Sequence, residues 1–204
     1  MPSTNTSVVD ILFSMNIYLV RHTHYANPKN VYAFRLPLRL SLEGEQHAQR
    51  IGRWFVENKL QKLPIYTSPI ARCVQTAEII AARTGATVKT DKRLIEIFAP
   101  SLQGKPQPAK MPWKVEEDDV SRESRESTLK RILEIYNEKV AEGNDCILVS
   151  HGEPITILYD YLNHKEPPKY LWGPENNENI INRGEIVKIE LKNNRIHSTS
   201  RIKV

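Results

Sequence analysis

The sequence predicts an α/β fold: a three-layer α/β/α sandwich with a mostly parallel central sheet. Three observations point there. Short apolar, β-branched runs alternate with segments of helical period, the pattern of a parallel sheet covered on both faces. Breakers and capping residues punctuate the boundaries between them. The 204 residues, 40% hydrophobic and 26% charged, suffice for one compact core.

The elements follow in order. Residues 1–15 carry Asp10 and no basic residue ahead of a short apolar stretch, the reverse of a secretory signal. They read as a loose arm, or as added sequence before a start at Met15. Asn16 to Val20 is a buried strand that ends abruptly in Arg21-His22-Thr23-His24. Residues 25–40 are irregular, broken at Asn27-Pro28 and Leu36-Pro37. Ser41 is the N-cap of a helix whose inward face is Ala48, Ile51 and Phe55. Leu63 to Tyr66 is a second strand, and Ser68-Pro69 reads as an N-cap hydroxyl with proline at the first helical position. Ile70, Val74, Ala77 and Ala81 carry that helix to Gly85. Thr87 to Lys89 is a brief strand. Residues 97–122 form a long loop with Pro100, Pro106, Pro108, Pro112 and an acidic run, Glu116 to Asp119. Ser124 caps a helix with Leu129, Ile132, Leu133, Tyr136 and Val140 on one face. Cys146 to Ser150 is an apolar strand that again ends in histidine, His151-Gly152-Glu153-Pro154. A helix follows, with Ile155, Leu158 and Leu162 inward, and a hairpin of Ile186–Leu191 and Arg195–Thr199 turns at Asn193-Asn194.

No apolar run reaches the roughly 18–20 residues that span a bilayer. Cys73 and Cys146 read as reduced core thiols, and the expected setting is cytoplasmic. Of the net charge of +5, residues 181–204 hold +4, with six basic and two acidic side chains. Aromatics are not interleaved with these charges, so the tail reads as a solvated edge hairpin rather than a nucleic-acid patch.

Two strands end in histidine, and neighbouring strands would bring His22 and His151 to one sheet edge, where ligands bind in such folds. Arg21 precedes the first histidine. Arg72 lies in the first turn of a helix, where a cation opposes the dipole and calls for a bound anion. Two arginines and two imidazoles suit a phosphate: guanidinium forks pair with its oxygens and a neutral imidazole can attack phosphorus, with no metal required.

At this point the residues carry a resemblance. Leu19-Val20-Arg21-His22-Thr23 resembles the LVRHG opening of the histidine phosphatase superfamily, which includes the cofactor-dependent phosphoglycerate mutases. Leu40 to Ala48, Tyr66 to Ala77, Arg93-Leu94-Ile95-Glu96, Glu123-Ser124 with Arg131, and Val149-Ser150-His151-Gly152 are similar to the family's further blocks, in order. The resemblance implies that 16–204 is one histidine phosphatase domain of phosphoglycerate mutase-like fold. It implies that His22 is the phosphorylated nucleophile, that Arg21, Arg72 and His151 bind the phosphoryl oxygens, and that Glu96 is general acid and then base. Asn27 and Arg35 match segments of a bacterial branch and are substrate-binding candidates, as are Thr23 and Gly152. Thr23 and Glu153 depart from the family's glycines. The Thr23 hydroxyl donates to phosphate or its Cβ narrows the pocket, and Glu153 selects a cationic substrate or points away.

The expected activity is a metal-independent phosphomonoester hydrolase with no cofactor. Its alternatives are a mutase-type phosphotransferase and a noncatalytic phosphate-binding module. The expected partner is a small phosphorylated substrate, without metal, membrane or nucleic acid, and a homodimer is compatible with the sequence. Neither the substrate nor the oligomeric state is legible.

Overall fold

The structure is a computed structural model that describes residues 14–107, 121–166 and 180–204. Its elements are β1 (Ser14–Arg21), α1 (Leu42–Glu57), β2 (Ile65–Thr67), α2 (Ala71–Thr84), β3 (Val88–Thr90), α3 (Arg125–Glu142), β4 (Cys146–Ser150), α4 (Gly152–Leu162), β5 (Ile186–Lys192) and β6 (Arg195–Ile202). A 3₁₀ turn at Lys92–Leu94 follows β3. Among the described residues the strands form one sheet in the order β3-β2-β4-β1-β5-β6. The first four run parallel, while β5 and β6 add antiparallel.

Alternation along the central strands builds two cores. Ile17 and Leu19 of β1 and Cys146 and Leu148 of β4 point to one face, where Ile132, Ile135 and Tyr136 of α3 and Ile155 and Leu158 of α4 cover them. Tyr18, Val20, Ile147 and Val149 point to the other, against Ile51 and Phe55 of α1 and Ala77 and Ile80 of α2. This is the expected α/β sandwich. Both cysteines are free and buried.

Several boundaries move. β1 takes in Ser14 and Met15, because Met15 is buried and pairs with Leu191. β2 sits two residues later than the apolar run at Leu63 suggests. Ser68 does not cap α2, which starts at Ala71 after Ile70 with no side-chain cap. The Ser68 N–H still donates to Val149 O at 3.0 Å, so the sheet ladder runs through the residue expected to leave it. Ser41 and Ser124 do cap α1 and α3, accepting from the N–H groups of Gly44 and Ser127. Gly85 closes α2 at φ +71°, in the left-handed region that glycine adopts without strain. Asn193 and Asn194, at φ +49° and +59°, make the tight β5–β6 turn. β6 is a sheet edge, and two of the tail's charges are met within the hairpin, where Arg201 pairs with Glu185 at 2.6 Å.

Of the long loop, residues 97–107 are irregular and zipped against the 30–35 segment. Tyr32 N–H donates to Lys105 O, Gly104 N–H to Tyr32 O, and Gln107 N–H to Asn30 O. Pro108, Pro112 and the acidic run lie outside the described residues, as does most of the arm. Among the described residues no helix is long and apolar enough to cross a membrane.

Candidate active site

Parallel pairing of β1 with β4 sets Arg21 beside Ser150, so the residues that follow, His22 and His151, leave the sheet side by side. His22 N–H donates to Ser150 O at 2.9 Å, which carries the register one step past the strand. The two imidazole centroids are 5.2 Å apart. Both rings are buried.

The hydrogen bonds assign their tautomers. His22 Nδ1 lies 2.8 Å from Thr23 O, which can only accept, so Nδ1 carries the proton. Arg72 Nε, which can only donate, lies 3.1 Å from His22 Nε2, so that nitrogen presents its lone pair. Burial, then Arg72 and Arg21, hold the His22 pKa well below the ordinary 6.5. Neutral His22 therefore offers Nε2 as a nucleophile. Arg72 Nη2 also donates to His151 Nδ1 at 3.0 Å, leaving His151 Nε2–H to donate to Ser68 Oγ at 2.9 Å. His151 is kept neutral in the same way, by burial and then Arg72. Arg72 bridges the two rings, with its outer amino group on Phe34 O at 2.7 Å.

Arg21 reaches across to donate from Nη1 to Ile181 O at 2.7 Å. Its guanidinium lies against Gly152, the first residue of α4: a Cβ there would come within 2.8 Å of Arg21 Cζ. The glycine is thus required by close approach.

Glu96 is buried in the same cavity. Ser150 Oγ donates to Leu94 O at 2.7 Å, and Arg131, paired with Glu123, donates to Arg93 O at 2.7 Å. These two tethers hold the acid-bearing segment to the end of β4. Glu96 Oε1 accepts from Ile97 N–H at 3.0 Å, and Oε2 lies 3.7 Å from His151 Nδ1. Burial and then Glu153 push its pKa up to about 7, against the pull of Arg72, Arg21 and the Ile97 N–H.

The cavity measures about 190 Å³. The structure brings together His22, His151, Arg21, Arg72, Gly152 and Glu96. It does not bring in three candidates. Asn27 clasps the backbone of Val31 through Nδ2 at 2.8 Å and Oδ1 at 3.2 Å, folding its own loop. Thr23 is fully buried and turned to Thr76, with its N–H 3.3 Å from Thr76 Oγ1. Arg35 lies over the Phe98 ring at 4.2 Å, outside the cavity lining. Glu153 faces the cavity, but its Oε1 takes Arg122 Nη2 at 2.6 Å, so its charge meets an internal cation.

The lining also holds residues that the sequence did not single out: Tyr25, Tyr32, Phe34, Gln107, Arg122 and Arg183. Tyr25 sits three residues after His22, so proximity in the chain was an available signal. Tyr32 and Phe34 stack at 5.9 Å with planes 3° apart, forming an aromatic wall. Arg122 and Arg183 come from distant segments with no local motif.

Residues 17–198 match the sequence model described as the histidine phosphatase superfamily, branch 1. Phosphoglycerate mutase 1 of Saccharomyces cerevisiae is 37% identical over 93 residues, 44% of this chain and 38% of that protein. The match therefore spans well under half of that relative. Among solved structures, Bacillus stearothermophilus YhfR superposes with a TM-score of 0.72 at 23% identity, covering 90% of this chain and 94% of the other. The mycobacterial glucosyl-3-phosphoglycerate phosphatase gives a TM-score of 0.68 at 21% identity, covering 85% and 89%. These last two likenesses establish the fold.

Proposed function

The chain belongs to the histidine phosphatase superfamily, and on that footing we propose that it hydrolyses phosphate monoesters through a phosphohistidine on His22. The observation that carries the reading is the tautomer of His22: Nδ1–H is committed to Thr23 O, and the Nε2 lone pair stands beside Arg72 in the cavity. The attack forms an Nε2–P bond and breaks the P–O bond to the leaving alcohol. Arg21 and Arg72 meet the charge on the phosphoryl oxygens, and His151, accepting from Arg72 Nη2 at 3.0 Å, holds that guanidinium in place. Protonated Glu96 gives its proton to the departing oxygen. Its carboxylate then takes a proton from water, whose oxygen attacks phosphorus and breaks the Nε2–P bond. Inorganic phosphate leaves and His22 regains its lone pair. A carboxyl poised at about 7 supplies both forms near neutral pH. The arginines take the place of a metal in this scheme.

The test uses p-nitrophenyl phosphate in EDTA. Hydrolysis is expected, with acid-labile label on His22 after a rapid quench with ³²P-substrate. His22→Ala is expected to lose both, and full activity in that variant would overturn the mechanism. The yeast relative supports a second reading, phosphotransfer, which predicts interconversion of 2- and 3-phosphoglycerate.

A further inference from the structure

Among the described residues, charge in the cavity does not balance around a single phosphoryl group. Among the described residues, Arg21, Arg72, Arg122 and Arg183 line it, against Glu96 and Glu153. Arg122 is matched by Glu153. Arg21 and Arg72, beside the two histidines, suffice for a phosphoryl dianion. Both imidazoles are neutral, and Glu96 holds a proton in the state that begins the reaction. Arg183 is left over. No ion pair or hydrogen bond of its guanidinium is found among the described residues, and its Cζ rests 4.8 Å from the centroid of the Tyr25 ring.

Its seat is a built one. Arg183 lies in a turn closed by Glu185 N–H on Asn182 O and by Asn182 N–H on Glu185 Oε2. That turn is stitched to β1, with Gly184 N–H donating to Arg21 O and Arg21 N–H to Glu185 O. The same Tyr25 ring has the His22 imidazole at 5.5 Å and Arg72 Cζ at 5.1 Å. Arg183 is thus fixed around one ring with the groups that meet the phosphoryl.

We infer that Arg183 binds a second anionic group of the substrate, a carboxylate or a further phosphate carried on the leaving alcohol. This rests on the hydrolase reading. The substrate class becomes a phosphomonoester with at least one additional negative charge, and esters of neutral or cationic alcohols are the poorer substrates.

The experiment compares phenyl phosphate with its 3-carboxy and 3-phosphonomethyl derivatives, which separate the two sources of charge. The wild-type protein is expected to favour at least one charged derivative by about tenfold in kcat/KM, the scale of one charge-assisted hydrogen bond. Arg183→Gln is expected to bring that ratio close to one, and Arg183→Lys to retain part of it. Because the readout is a ratio within one variant, any loss of folded protein cancels. Turnover of phenyl phosphate without a preference for either charged derivative, or a preference that survives in Arg183→Gln, overturns the inference alone. Failure to hydrolyse any of the three overturns the hydrolase reading and the inference with it.

Discussion

Replacing Glu96 by Gln should make the protein more stable at alkaline pH while removing its activity. A carboxyl raised from its ordinary 4.5 to about 7 binds a proton more tightly folded than unfolded. Between those values the folded state holds the proton and the unfolded state does not, so folding stability falls as pH rises through the window. Above about 7 the full gap applies, about 3 kcal/mol at 1.36 kcal/mol per pH unit. Gln carries no charge and keeps an acceptor for the Ile97 N–H that Oε1 receives at 3.0 Å. The advantage of Glu96→Gln should therefore grow from about 1 kcal/mol near pH 5 to about 3 kcal/mol at pH 8. The depressed histidines also make stability pH-dependent, but they are common to both proteins, and the difference between the two curves removes most of their effect. Urea unfolding at a series of pH values measures the difference, and steady-state assays should show a loss of about 10²–10⁴-fold. A difference that is flat with pH, or a Gln variant that is the less stable at pH 8, would refute the assignment of a buried, proton-holding Glu96.

Three further outcomes are expected. Gly152→Ala would drive a methyl to 2.8 Å from Arg21 Cζ, and the buried guanidinium must leave its 2.7 Å bond to Ile181 O to admit it, so activity and the melting temperature should both fall. Gly44→Ala would place Cβ at 1.8 Å from the backbone carbonyl oxygen of His24, which cannot yield; destabilisation of about 3 kcal/mol by urea unfolding is expected. Glu153→Gln removes the nearest negative influence on Glu96 and leaves Arg122 uncompensated. Both changes lower the Glu96 pKa, so the alkaline limb of the pH–rate profile should move toward lower pH.

The elements legible in the sequence are those whose signal is local. The Ser41 cap, the Gly85 stop and the Asn193-Asn194 turn each act within a few residues, and each forms where the sequence places it. The α2 start lies later than Ser68 suggests, because the Ser68 hydroxyl serves the turn ahead of the helix. It accepts from Ile70 N–H at 3.3 Å and from His151 Nε2 at 2.9 Å, the latter a contact made across 83 positions that no local signal carries. The site was half legible. His22, Arg21, Arg72, His151 and Glu96 sit in blocks that resemble a family, and the fold gathers them. Asn27, Thr23 and Arg35 sit in similar blocks, yet their side chains are spent on Val31, Thr76 and Phe98.

Alternation of apolar runs with helical periods, and the polar ends of two strands, determined the layer order and which edge would carry the two histidines; periodicity is a property of neighbours along the chain. Which nitrogen of His22 bears the proton, that the Glu96 pKa is pushed up to about 7, and that Arg122 and Arg183 enter the cavity were decided by tertiary structure alone. Those properties arise from burial and from charges brought within a few ångströms by segments up to 160 residues apart, as where Arg21 meets Ile181. Electrostatic energy depends on distance in space and on the exclusion of water, and neither is written along the chain.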